Sequence, residues 1–388
     1  SSDAALRIAC ALGATCSILL TLEIAPRAML ALAFCLYLSL VSAGQIFMGY
    51  QWDFLLLEAG FLAIFLKPTL VRVWLFQWLL FRLIFESGAV KLLSGDPTWH
   101  NLTAMAFHYQ TQPLPTPIAW YMYQAPLWFQ KASTLFVFFA EIVVPFLIFG
   151  PRRLRHIAAA FLLTLQLLIF LTGNYASFNL LTMALCILLL DDSILRWKRP
   201  VAVRANRFVT AVLFVSIVSL SSSQLAGMFG HPFPFPERIA ARVAPFGVVN
   251  SYGLFANMTT TRLEIEIEGS NDGNTWTAYS FPYKPGDVKR APPWVAPHQP
   301  RLDWQMWFAA LGNYQQNPWF GNFMGALLKG SPPVLALMEH NPFPGAPPRY
   351  VRALIYEYRF TDFAVRRATN AWWKRELKGT YMPAVSLR

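Results

Sequence analysis

Long apolar runs separated by short polar stretches fill the first 230 residues. A helix needs about 20 mostly apolar residues to cross the hydrocarbon core of a bilayer. Runs of this kind fall at 5–22, 28–49, 54–66, 69–93, 127–149, 155–172, 175–190 and 208–229. The third is short and carries Glu58, which also suits a re-entrant segment. The pattern predicts an α-helical, polytopic membrane domain over 1–230 with seven or eight spans.

The period changes after residue 230. In "TRLEIEIEGS", Leu263, Ile265 and Ile267 alternate with Glu264, Glu266 and Glu268, the period-two signature of a half-buried strand. The following "SNDGNTW" contains Asp-Gly, a hairpin turn signal. A second strand is expected at "RALIYEYRF" (352–360). Between the two, "RLDWQMWFAALGNYQQ" and "PPVLALMEH" read as helices. The expectation is a C-terminal antiparallel β domain over 248–388 with a helical insertion at about 301–340. Residues 231–247, "HPFPFPERIAARVAPFG", read as the linker into it.

Composition agrees with a lipid-solvated chain. Of 388 residues, 55% are apolar and 13% charged, against about 25% charged in a soluble domain; mean hydropathy is +0.39. The net charge of +12 raises the question of nucleic acid. The basic residues, however, sit between apolar runs, and no nucleic-acid motif accompanies them. "PRRLRH" (151–156) carries three Arg and "RWKRPVAVRANR" (196–207) five Arg or Lys, while the intervening "TGNYAS" has none. Short basic loops favour the cytoplasmic side. Counting crossings from them puts 94–126 and everything after 230 together on the opposite face, lumenal or periplasmic. Cys10, Cys16, Cys35 and Cys186 all fall inside apolar runs, so no disulfide framework is expected. The first residue is Ser rather than Met, so a preceding N-terminal piece is expected; the residues in hand carry no cleavable signal pattern.

The loop at 94–126 contains "GDPTWHNLTAMAFHYQTQPLPTPIAWY". It is too polar to span and too aromatic for a slack linker. Pro113, Pro115 and Pro117 hold "QPLPTP" extended. Trp99, Tyr109, Trp120 and Tyr121 offer large amphipathic surfaces, suited either to a headgroup-anchored lid or to a protein-binding surface.

Ionisable side chains inside a bilayer are costly and therefore candidates for function. Here they are Asp53, Glu58, Arg82, Glu86, Lys91 and Glu141. Arg82 and Glu86, four apart, share one helix face and read as an internal ion pair. Lys91 either snorkels to the interface or, if desolvated, serves as a base. Asp53 and Glu58, five apart, point to different faces, which disfavours a carboxylate pair. His100 and His108 have no accompanying Cys, and there is no HExxH, CxxC, GxSxG, P-loop or dinucleotide-binding motif. No metal and no cofactor is expected. "NLT" (101–103) and "NMT" (257–259) are glycosylation sequons, relevant only in a eukaryotic secretory compartment.

Several long blocks resemble the lipase maturation factor family. They are the loop sequence above, "QWDFLLLEAGFLAIF", "PRRLRH", "NYASFNLLTMALCILLLDD", "YKPGDVKRAPPWVAPHQPRLDWQMWFAALGNY", "HNPFPGAPPRYVRALIYEYRF" and "WWKRELKGTYMPAVSL". The resemblance runs in order from about residue 45 to the C-terminus. It implies a chaperone-like membrane factor that helps dimeric secreted lipases reach an active, secretion-competent fold, on the lumenal side of the endoplasmic reticulum in eukaryotes. Its partners would be a client lipase or other secreted protein, and membrane lipids. The absence of Cys from the exposed regions suggests a bacterial member in an inner membrane. On this reading Trp99, His108, Tyr109, Gln112, Pro113, Pro115, Trp120 and Tyr121 are the candidate client-binding residues. "FRLIFESGAVKLLSGDPTW" is also similar to a helix of vitamin K-dependent carboxylase-like membrane proteins. That shorter resemblance implies the alternative, a membrane enzyme acting on a lipid-like or quinone-like substrate, with Lys91, Arg82 and Glu86 as candidate catalytic residues.

Overall fold

The computed structural model describes residues 2–65, 70–190 and 206–387, which group into two compact units.

The first unit comprises Ser1–Asn101, Ser133–Leu168 and Ser177–Asn257. Its early helices are α1 (Asp3–Thr21), α2 (Pro26–Gly44, continued by a 3-10 turn to Met48), α3 (Gln51–Ile64) and α4 (Leu70–Leu93). Among the described residues, six helices are long and apolar enough to cross a membrane: Asp3–Thr21, Pro26–Met48, Val73–Leu93, Leu127–Phe149, Arg152–Thr172 and Arg207–Met228. They match six of the eight apolar runs. The other two runs form shorter helices, 14 residues in α3 and 10 in Phe178–Ile187. The basic stretch at 196–205 lies outside the described residues. Val73–Leu93 is 67% buried and α1 only 6%, which makes α4 the inner helix and leaves α1 to be solvated by lipid.

Two local features shape the helix against α4. Pro145 has no N–H for the Glu141 carbonyl, and there the α-helix gives way to a π turn at Phe139–Val143 and a 3-10 turn at Val144–Phe149. Gly88 permits close approach, since a Cβ there would lie 2.8 Å from Glu141 Cβ. The expected linker is itself ordered: Pro234–Val243 is helical, and Ser223 Oγ accepts from Phe233 N (3.0 Å) and donates to Phe233 O (3.1 Å).

The second unit draws on three stretches, Leu102–Ala132, Ile169–Ala176 and Met258–Arg388. Its sheet has the order β2-β1-β3-β4, all antiparallel, with β1 at Arg262–Ser270, β2 at Thr277–Ala278, β3 at Tyr350–Phe360 and β4 at Trp373–Val385. The Asp-Gly turn joins β1 to β2, with Asp272 accepting the Asn274 and Thr275 N–H groups and Gly273 at φ +77°. Helices Arg301–Ala310, Pro318–Leu328 and Pro332–Leu335 form the insertion between β2 and β3. One sheet face carries Ile265, Ile267 and Ala353, all fully buried. The opposite face is polar, with cross-strand pairs Arg352–Glu268 and Arg375–Glu266 and, within β1, the pair Arg262–Glu264. Glu264 departs from the simple alternation: it is buried, because residues 279–290 fold over it and bring Lys284.

Candidate functional site

Within the first unit, Glu58, Arg82 and Glu86 have no exposed surface. The spacing on α4 pointed to an Arg82–Glu86 pair, but the direct partner of Arg82 is Glu58 on α3. Arg82 also donates to Asn250 O (2.8 Å). The reason is the segment 248–257, which brings backbone and side-chain donors into the bundle that must be satisfied there. Glu58 accepts from Asn250 N (3.1 Å), Asn250 Nδ2 (3.0 Å) and Tyr252 Oη (2.8 Å). Glu86 accepts the Tyr252 N–H (2.7 Å). Asp53 is separate, accepting from Tyr37 Oη and from Tyr50 N (3.3 Å).

Lys91 is buried and paired. Its Nζ lies 2.6 Å from Glu141 Oε2 and donates to Ser87 O (2.9 Å), with the Trp99 ring centroid 5.4 Å away. The arrangement clamps two spans together, α4 and Leu127–Phe149.

The loop residues gather in the second unit. Arg262, 1% exposed, donates to three carbonyls of the loop, those of Gln110 (2.8 Å), Gln112 and Pro113 (2.7 Å), and pairs with Glu264 (2.8 Å). Burial pulls its pKa down, while Glu264 opposes that shift. Gln112 donates to Thr172 O (2.9 Å) and accepts from Tyr175 Oη (2.7 Å). Trp120 is fully buried in a core with Tyr358, Phe360 and Trp373. Asn174, in the uncharged "TGNYAS" turn, stitches all three stretches. Its Nδ2 donates to Leu114 O (3.1 Å) and Pro293 O (2.9 Å), and its Oδ1 accepts from Val295 N (2.8 Å) and Ala296 N (3.0 Å). Leaving buried partners unsatisfied costs about 1–3 kcal/mol each before relaxation, so Asn174→Ala is expected to lose roughly 2–3 kcal/mol. Thermal unfolding of the purified protein checks this, and an unchanged melting temperature would refute it.

A cleft of about 490 Å³ opens on the polar sheet face, lined among others by Glu266, Phe281, Lys284, Arg290, Tyr358 and Arg375. Its charges are paired: Lys284 with Glu264 (3.0 Å), Arg290 with Glu339 and Arg375 with Glu266. Tyr358 Oη donates to Gly286 O (2.8 Å). Buried Asp303 holds the nearby backbone, accepting from Tyr283 N (3.0 Å) and Lys284 N (2.7 Å).

Burial lifts the Asp303 carboxyl above the ordinary range, against the pull of those N–H donors. At low pH both folded and unfolded states are protonated. As pH rises from about 4, the unfolded chain ionises first and stability falls, until pH passes the higher folded pKa. Asp303→Asn keeps an acceptor and cannot ionise. Its melting temperature relative to the parent is therefore expected to climb with pH across that window; a constant offset would rule the account out.

Of the candidate client-binding residues, Trp99, Tyr109, Gln112, Pro113, Pro115 and Trp120 are buried. Trp99 belongs to the first unit, where its Nε1 donates to Phe255 O (3.0 Å). His108 is half-buried, its Nε2 3.4 Å from Tyr175 Oη, and Tyr121 is 49% exposed. Sequence reasoning missed Asn174, Asn250, Tyr252, Arg262 and Lys284. The one available signal was a cation opening a strand whose next residue on the same face is Glu.

Two family models cover most of the chain. The lipase maturation factor transmembrane domain matches residues 1–197 and the lipase maturation factor C-terminal domain matches 248–383. Lipase maturation factor 2 of Gallus gallus is 36% identical, over 100% of this chain and 72% of its own. The Xenopus tropicalis protein of the same name is 34% identical, over 100% and 73%. Lipase maturation factor 1 of Mus musculus is 35% identical, over 91% and 69%. No solved structure matches. With five of the six candidate spans, the polar core and nearly all of the C-terminal sheet inside the matched regions, this integral membrane protein belongs to the lipase maturation factor family.

Proposed function

We propose that this chain is a membrane-anchored, chaperone-like factor that brings secreted lipases to an active fold, working on the non-cytoplasmic face of its membrane. The observation that carries the reading is the match of relatives named lipase maturation factor across both halves of the chain. That face is the lumen of the endoplasmic reticulum in a eukaryote, or the periplasm in a bacterium. The side is supported by charge and grouping together. Arg152, Arg153 and Arg155 open the span Arg152–Thr172 at its junction with Leu127–Phe149, where the charge rule favours cytoplasm. The far ends of those spans, 102–132 and 169–176, are the parts that join the C-terminal domain in one unit.

The loop serves from within, as the frame of the second unit, and the open charged cleft is the surface we assign to the client. A polar, mixed-charge surface fits a transient partner that must be released. The test is in-cell photocrosslinking with a photoreactive amino acid at Asp287, which lines the cleft and is exposed, and at Leu12 on α1 as a lipid-facing control. Co-expression with a dimeric secreted lipase should give lipase adducts at 287 and none at 12. Adducts only to small lipid-like molecules at 287, with lipase present and the protein folded, would contradict the reading.

A further inference from the structure

The second unit carries an apolar surface away from the cleft. Helix Phe363–Thr369 exposes Phe363 (52%) and Val365 (40%) beside Tyr121 (49%). These groups are fixed in place. The Phe363 ring centroid lies 5.0 Å from that of Trp120 and 6.3 Å from that of Tyr121. Gln124 Nε2 donates to Thr361 O (3.0 Å), just ahead of the helix. The Arg366 guanidinium stacks 3.6 Å from the Trp372 centroid and faces Tyr121 Oη at 3.4 Å.

The same frame holds the first turn of a membrane span. The span Leu127–Phe149 begins six positions after Tyr121, and its opening residues Leu127 and Trp128 are 55% and 70% exposed. Buried Gln130 clips this turn back to the loop by donating to Met122 O (2.7 Å). Residues 102–132 belong to the unit that contains Phe363. A span's first residues lie at the edge of the hydrocarbon, and the headgroup layer beyond is only about 5–8 Å deep per leaflet. Tyr121 adjoins Met122, which Gln130 of that first turn holds, and Phe363 packs beside Tyr121, so the short connection argues for headgroup level. The charge there suits phospholipid: exposed Lys131 and Arg367, with Arg366, stand against Asp362, whose carboxylate is taken up by the Val365 N–H (2.8 Å).

We propose that the surface of Tyr121, Phe363 and Val365, rimmed by Arg366 and Arg367, is a second membrane contact that seats the C-terminal unit in the headgroup layer of anionic phospholipid. Phe363 and Val365 enter the upper acyl region and the arginines meet phosphates, the division of labour of interfacial amphipathic segments. This contact would leave the cleft of the same unit free for a protein partner, but it rests only on the chain being an integral membrane protein.

The test uses the full chain in vesicles of phosphatidylcholine and phosphatidylglycerol containing a phospholipid with a diazirine near the glycerol. After irradiation, adducts are mapped by peptide mass spectrometry. Adducts are expected on 363–367 at a level comparable to those on 127–131, with none on Leu377 of β4, which is 54% exposed. Adducts on 127–131 and none on 363–367 would overturn the proposal. So would loss of the 363–367 adducts on adding a lipase, since the surface would then belong to the client. In the double variant Phe363→Asp, Val365→Asp the 363–367 adducts should disappear while those on 127–131 remain, in a chain that still unfolds cooperatively; their persistence at full level would count equally against it.

Discussion

Arg82→Ala is expected to cost the bundle about 3–5 kcal/mol, the usual scale for breaking a buried ion pair from one side. Deleting the guanidinium leaves Glu58 and Glu86 buried without their cation and removes the donor to Asn250 O. Glu58 keeps its Asn250 and Tyr252 donors, which holds the loss to that range rather than above it. The consequence reaches the segment 248–257, because several of its hydrogen bonds to α3 and α4 are to these carboxylates. Removing both partners with apolar groups of similar volume, Arg82→Met with Glu58→Leu, should recover a large part of the loss, since no unpaired charge remains. Thermal unfolding in detergent, followed by intrinsic fluorescence, measures both. A single variant as stable as the parent would mean that the cluster does not hold the bundle.

Arg262→Ala is the second large effect, expected at about 3–5 kcal/mol by the same argument. Here one buried cation satisfies three consecutive-region carbonyls and a carboxylate. Its removal strands Glu264 beside Lys284 alone and frees the backbone at 110–113. Arg262→Lys should recover little, because one ammonium cannot reproduce the fork that reaches Gln110, Gln112 and Pro113 together. Beyond a lower melting temperature, the loop at 102–126 should become sensitive to limited proteolysis while the membrane helices stay protected. Cleavage that remains as slow as in the parent would refute the assignment of Arg262 as the loop's anchor.

These two arginines also show what was legible in advance. Membrane spans announce themselves because hydrocarbon demands a long apolar run, so the six crossing helices were readable, and β1 and β3 were readable from period two. Strand β4 was not. Its sequence "WKRELKGTYMPAV" is the outer edge of the sheet, where Lys374, Lys378 and Pro383 discourage pairing with another chain and erase the alternation. Arg82 and Glu86 were visible as unusual residues in a span, but their partners Glu58, Asn250 and Tyr252 come from distant stretches that no spacing rule connects. The aromatic loop was read as surface because Trp and Tyr suit interfaces; Trp120 is instead core, since the sheet supplies Tyr358, Phe360 and Trp373 to cover it. Local patterns report which faces are apolar. They do not report which distant element covers them.

The measurement closest to the central claim is a rescue assay. Cells lacking their own lipase maturation factor would express a dimeric secreted lipase with this chain, with its Arg262→Ala variant or with neither, and the activity per mass of secreted lipase would be compared. The account predicts that the intact chain raises that specific activity and that Arg262→Ala, with its loop released, raises it far less. Specific activity no higher with the intact, membrane-inserted chain than without it would contradict the account.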